Sequence, residues 1–215
     1  MLQTQNKSIK QDIQFITAIE AAAFKLTKSK SVTTEDGAAW RATLSHGRTK
    51  IVTVSNGGYG GPDACQFHAT TPVGEAADKI SLGLLLAIPE VTAAVQRNMM
   101  FKLNLTQKYG KISDGEYAQA KANIETSVPT PTEDNIEFVV GRIADINGTV
   151  NTLKRAIKTK LLVVFEDGDE KGQYVTYSLP DTPVNRERVA AHEKSRKIAY
   201  YIADLFSSTN EQKGA

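Results

Sequence analysis

Apolar residues change their spacing several times along this chain, and each change predicts a new element. From Ala39 to Leu44 apolar and polar positions alternate. Lys50 to Val54 returns as Lys-Ile-Val-Thr-Val, whose β-branching suits a pleated, half-buried surface. Ser45-His46-Gly47-Arg48 lies between them and reads as a tight turn in which Gly47 is free to take positive φ. Trp40 to Val54 is therefore expected to be a hairpin. Upstream, Ile13 to Leu26 mixes Phe15, Ile16, Ile19, Phe24 and Leu26 with small residues. Ala18 to Phe24 competes there as helix, but the strands that follow favour a strand.

Beyond the hairpin the period lengthens. Ile80, Leu84, Leu85 and Ile88 recur at three-to-four spacing and predict a helix over 74–88, with Pro89 opening a second that reaches about Leu105. Ser113 and Glu116 form a capping-box pattern at the head of a short helix to about Thr126. Val128-Pro-Thr-Pro-Thr132 reads as a linker, because each proline disfavours helix at the residue before it. Ile136, Val140, Ile143, Val150, Leu153 and Ile157 then make one apolar stripe along a helix over 133–157. Gly141 and Gly148 each cost it about 1 kcal/mol relative to Ala. That stripe is either core or a homodimer seam. Leu161 to Phe165 and Tyr174 to Leu179 read as a second hairpin around Glu-Asp-Gly-Asp-Glu-Lys-Gly. Thr182-Pro183 opens a last helix to about Phe206 with Val189, Ile198, Ile202 and Leu205 on its buried side.

The order predicts a single α+β domain over 1–215, in which antiparallel hairpins form a sheet packed against a group of helices. Its expected parts are a β-rich region 13–70, a helical region 74–158, a hairpin 159–179 and a C-terminal helix 183–206. Both hairpins are expected in that one domain, because a two-stranded ribbon alone is marginal in water.

Composition narrows the function classes. Lys and Arg number 26 against 24 Asp and Glu, a net charge of +2 that lacks the basic excess usual in nucleic-acid binders. Cys65 is the only cysteine, so no intramolecular disulfide forms and a reducing compartment is expected. Met1 to Ser8 lacks the apolar core of a secretion signal, and Leu82 to Ile88 is far short of the roughly 20 residues that cross a bilayer. A cytoplasmic location with no membrane partner is the expectation.

Ala23-Phe24, Ala39-Trp40-Arg-Ala-Thr43 and Lys50-Ile-Val-Thr-Val-Ser-Asn-Gly-Gly-Tyr-Gly-Gly61 resemble a group of uncharacterised bacterial and bacteriophage proteins. In these a strand bearing an A-T pair leads through a hairpin to a V-S-N-x-G-x-G-G turn, and a helix later runs through a basic stretch into an apolar strand. Here Ile136 to Ile157 and Lys158-Thr-Lys-Leu-Leu-Val-Val-Phe165 match that second part. The resemblance covers roughly 13–67 and 133–179. Gly57 stands where an acidic residue is more usual and Tyr59 where His is common, so anything held by that acid and His in relatives is in doubt here. The group has no established activity; the resemblance implies a phage or prophage setting in a bacterial host.

Three candidate sites follow. Ser55, Asn56, Gly57, Gly58, Tyr59, Gly60, Gly61 and Asp63 form a glycine-rich loop whose backbone N–H groups could converge on an anion, or whose tyrosine could meet a partner. The spacing matches no nucleotide-binding loop, and a tight left-handed connection between strands explains the glycines equally well. At least two of those glycines are expected at positive φ. Tyr59 is expected to be exposed if the loop is a contact surface and buried under the hairpin if it is not. Arg142, Lys154, Arg155, Lys158 and Lys160 crowd a helix C-terminus, where they suit its dipole or contact phosphate, and Arg186, Arg188, Lys194, Arg196 and Lys197 would extend that patch. The acidic run 166–170 argues against it. Cys65 and His68 could serve a small thiol hydrolase, but strand alternation puts them on opposite faces. No metal-ligand spacing appears, and no catalytic residue, metal or cofactor is expected. The leading reading is a non-enzymatic phage or prophage accessory protein that binds a host or phage protein or a small ligand; a nucleic-acid binder and a thiol hydrolase are the alternatives.

Overall fold

Ile9, Ile13 and Ile16 follow one another at four and three residues, and with Phe15 and Ile19 they are buried, which is helical phase rather than strand alternation. Residues 9–21 accordingly form helix α1 (Ile9–Ala21), and the strand expected over 13–26 is confined to its end, where β1 (Phe24–Thr34) begins. Ala23, at φ 62°, turns the chain from helix to strand. The computed structural model describes residues 9–34, 37–57, 64–169 and 172–211.

After β1 come β2 (Gly37–His46), β3 (Thr49–Asn56) and β4 (Ala64–Phe67), a four-stranded antiparallel sheet in the order β1-β2-β3-β4. Gly47 takes φ 57° in the β2–β3 turn, so the first hairpin forms as expected. Helices α2 (Pro72–Leu86), α3 (Pro89–Lys108) and α4 (Asp114–Thr126) follow, with the Ser113–Glu116 capping box fully formed at α4. Residues 128–131 have no regular structure, and α5 (Glu133–Ala156) then carries the apolar stripe. Ile136, Val140, Ile143, Val150 and Leu153 are all buried, so the stripe is core and not a seam left open for a second copy.

The fold is α+β. Two compact units divide it, residues 18–144 on one side and residues 1–17 with 145–215 on the other. In the 18–144 unit, the sheet face bearing Phe24, Ala42, Leu44 and Val54 receives helices. Phe24 stacks on His46 at 4.3 Å, His46 Nδ1 meets Ser81 Oγ of α2 at 3.2 Å, and a Cβ at Gly141 of α5 would stand 3.5 Å from the Trp40 ring. Gly141, which weakens the helix locally, gives the indole room.

The other unit holds a three-stranded antiparallel sheet, β6 (Val175–Tyr177), β5 (Leu161–Phe165) and β7 (Ile198–Tyr201), with β5 central and buried along its whole length. Helices α6 (Glu166–Asp169), α7 (Pro183–His192) and α8 (Ile202–Glu211) complete it. The two hairpins thus belong to different sheets, each extended by the strand nearest in sequence. The single helix expected over 183–206 is instead α7, β7 and α8. Val189 and Ile198 are nine positions apart, which would place them on opposite sides of a continuous helix. Ile198-Ala-Tyr-Tyr201 pairs with β5 instead.

Candidate functional site at the edge of the four-stranded sheet

The glycine-rich connection predicted as a site joins β3 to β4. Ser55 and Asn56 are half-buried at the end of β3, opposite Arg41 and Trp40 of β2, and Gly57 is exposed beyond them. Gly58, Tyr59, Gly60, Gly61 and Asp63 lie outside the described residues, and with them the expectations about their backbone and about the exposure of Tyr59.

β4 is one edge strand of the sheet, β1 being the other. Among the described residues β4 pairs only with β3, from Val52↔Phe67 to Ser55↔Ala64, and the His68 N–H donates to the Ile51 carbonyl at 2.9 Å. By strand alternation the N–H groups of Cys65 and Phe67 point away from β3. Ala64 and Gln66 are exposed, and the Phe67 ring is 39% exposed. Among the described residues this edge is four residues long, largely exposed and partly apolar.

Alternation also separates Cys65 from His68. Cys65 Sγ approaches Glu137 Oε1 of α5 at 4.0 Å on the helix-covered face. His68 Nε2 lies 2.8 Å from Thr53 Oγ1 on the opposite face, and Thr53 Oγ1 lies 2.8 Å from Thr43 Oγ1. A thiolate and its base must share a face, so these two residues do not form a thiol dyad.

The hydroxyl–hydroxyl–imidazole chain is the feature that sequence reading missed. Thr43 and Thr53 sit directly opposite one another in the β2–β3 register and are buried, so each hydroxyl needs a partner from the protein. Thr27, opposite Thr43 on β1, adds a longer contact of 3.4 Å to the Thr43 carbonyl. A buried hydroxyl beside an imidazole resembles a nucleophile and base. Burial keeps the Thr53 hydroxyl from any substrate, however, and the arrangement satisfies the sheet's polar groups instead. Cross-strand threonines in register were the available signal.

The basic residues divide. Arg142 is half-buried on α5 in the 18–144 unit, and Arg97's own burial, followed by the charge of Arg142, holds the Arg97 guanidinium below its ordinary value. In the other unit Lys154 stands 5.7 Å over the Phe206 ring, while Arg155, Lys158 and Lys160 are exposed near the end of α5. Of the extension expected from the last helix, Arg188 and Lys194 are exposed, while Arg186, Arg196 and Lys197 are paired in place. Arg186 bonds Asp181 and Asp204 at 2.6–3.1 Å and lies 4.3 Å over the Tyr201 ring. Arg196 covers the Phe165 ring at 3.9 Å and bonds Asp167, and Lys197 pairs with Glu166 at 2.6 Å. The Tyr200 hydroxyl donates to Asp169 at 2.7 Å. The acidic run thus serves as counter-charge to β7 and its approach.

Beside these pairs the Tyr177 hydroxyl donates to Glu193 at 2.8 Å. Burial, reinforced by that carboxylate, pushes the phenol up to about 12, and the same hydrogen bond holds Glu193 below the usual carboxylate range. Among the described residues no group of three or more His, Cys, Asp or Glu side chains could hold a metal ion, and no helix is long and apolar enough to cross a membrane.

Neither protein-family models, nor curated proteins, nor solved structures gave a match to this chain.

Proposed function

We propose that this chain is a binding protein without catalytic chemistry of its own, and that it takes a host or phage protein at the β4 edge and the adjoining glycine-rich connection. One observation carries the reading. The segment richest in glycine joins β3 to an edge strand whose outward N–H groups and half-exposed Phe67 offer an extended segment both a backbone ladder and an apolar contact. The separation of Cys65 from His68 supports a role other than thiol hydrolysis, and the ion-paired Arg186, Arg196 and Lys197 favour a protein target over nucleic acid. The phage or prophage setting, and with it the bacterial cytoplasm, rests on the resemblance of Val54-Ser-Asn-Gly-Gly-Tyr-Gly-Gly61 and its flanks to the bacteriophage group. A small-ligand target remains the second occupant of the same loop, through its backbone N–H groups.

Affinity capture of tagged protein from bacterial lysate, with mass spectrometry of proteins and small molecules, tests this. The expected result is a protein recovered by the wild type and lost with both Phe67→Glu and Tyr59→Ala. Recovery unchanged in both variants would remove the support for this edge. A DNA or RNA mobility shift that weakens steeply with salt would replace the reading by nucleic-acid binding.

A further inference from the structure

Helix α2 buries Asp78, Leu82, Leu85 and Leu86 against its own unit. A surface helix normally turns charged and polar residues to the other side. Here the opposite side is Val73, Ala76, Ala77, Ile80, Gly83, Leu84 and Ala87, with Val73 82%, Ile80 66% and Leu84 55% exposed. The nearest charges, Lys79 and Glu75, lie off the stripe on one side of it, Glu75 farther round the helix. An apolar face of about 21 Å with no charge along it costs free energy in water at every residue.

We infer that this face is the contact between two copies of the chain, paired antiparallel about a two-fold axis at Ile80. The stripe is complementary to its own reverse. Inversion about Ile80 sets Leu84 of one copy over Ala76 and Ala77 of the other, Val73 against Ala87, and Ile80 on Ile80. Large side chains then fill the space left by small ones, as close packing requires. Parallel pairing would stack Leu84 on Leu84 and alanine on alanine, leaving gaps between.

Charge points the same way. The stripe holds no acid or base, so a charged partner surface would be desolvated without a counter-ion, whereas a second copy brings none. The chain's net charge of +2 raises little long-range barrier to self-association. Two helix faces of this length bury roughly 800 Å² in total, under the roughly 1,000 Å² that a stable complex clears, so the dimer is weak and transient.

This inference is independent of the β4-edge reading, and its test leaves that edge intact. Sedimentation velocity of the full chain from 1 to 300 µM should show a monomer–dimer equilibrium that Ile80→Glu shifts at least tenfold toward monomer. Val184→Glu, at an exposed position on α7, should leave it unchanged. Circular dichroism checks that both variants stay folded. In a Cys65→Ser background, Ile80→Cys should oxidise to a covalent dimer and Val73→Cys should not. A monomer across the whole range, a dimer indifferent to Ile80→Glu, or cross-linking by Val73→Cys but not Ile80→Cys would overturn the proposal.

Discussion

The two sheets handle their polar groups in opposite ways. In the four-stranded sheet polarity is taken inside: Thr43, Ser45 and Thr53 are buried on the strands, and the threonine hydroxyls are satisfied by one another and by His68. In the three-stranded sheet the central strand is wholly apolar, and polarity gathers at the margins as ion pairs and tyrosine hydroxyls. A buried neutral hydrogen bond has few substitutes once broken, whereas an exposed ion pair exchanges readily with water and contributes little. Specificity of strand register in one sheet thus rests on a few side chains, and in the other on apolar packing.

The largest contrast is expected in the apolar sheet. Phe165→Ala should cost about 3–5 kcal/mol in denaturant unfolding, because the ring lies in the cluster with Leu161, Val163 and Val189 and also carries Arg196 on its face. Loss of Arg196 alone, by Arg196→Gln, should have a much smaller effect, because its ion pair with Asp167 is open to solvent. A larger effect from Arg196→Gln than from Phe165→Ala would break the comparison.

Next comes the hydroxyl seam. Thr43→Val and Thr53→Val should each cost about 1–2 kcal/mol, since each strands a buried hydroxyl, while the double variant should be less destabilised than their sum. Strict additivity in the double-mutant cycle would show that the two hydroxyls are not coupled.

The pH response separates the margins further. Tyr177 has its pKa raised on folding, so its contribution is fully present below pH 10 and is lost as pH rises through about 12. Glu193 is shifted down, so its contribution is present above the ordinary carboxylate pKa and is lost as pH falls through its lower folded value. Tyr177→Phe should flatten the alkaline limb of a stability–pH profile and weaken the acid one. An unchanged alkaline limb would detach the phenol from folding.

The smallest effects are at backbone positions. Gly148→Ala, with open space around the new methyl, should stabilise α5 by up to about 1 kcal/mol, whereas Gly141→Leu should destabilise by driving into Trp40. Ala23→Gly should be neutral or slightly stabilising, because Ala23 already holds a left-handed conformation that Cβ disfavours. Thermal unfolding of the three variants measures this.

The elements legible in the sequence were those whose signal is local. The Gly47 turn, the Ser113–Glu116 capping box, the Pro-rich break before α5 and the phase of its stripe each depend on residues a few positions apart. Helix α1 was misread because its neighbours are strands, although Ile9, Ile13 and Ile16 already carried helical phase. Strand β7 was hidden because Val189 and Ile202 each fit a helix, and only the pairing with Val163, Val164 and Phe165 across more than thirty positions decides otherwise. For the site, the opposition of Cys65 and His68 followed from alternation alone. The Thr43–Thr53–His68 chain did not, since it needs the register of β2 on β3. The pairing of Arg186 with Asp204 likewise depends on where α8 returns.

Trp40 is the chain's single tryptophan, and its ring lies beside Gly141, where the sheet of the 18–144 unit meets α5. Its fluorescence is therefore an optical probe of that unit alone, whereas tyrosine absorbance mixes the two, since four of the seven tyrosines, Tyr174, Tyr177, Tyr200 and Tyr201, belong to the other. Indole emission and far-ultraviolet dichroism that melt together would describe one cooperative transition, and an indole transition that parts from the dichroism would resolve the two units as separately folding bodies without any label being attached.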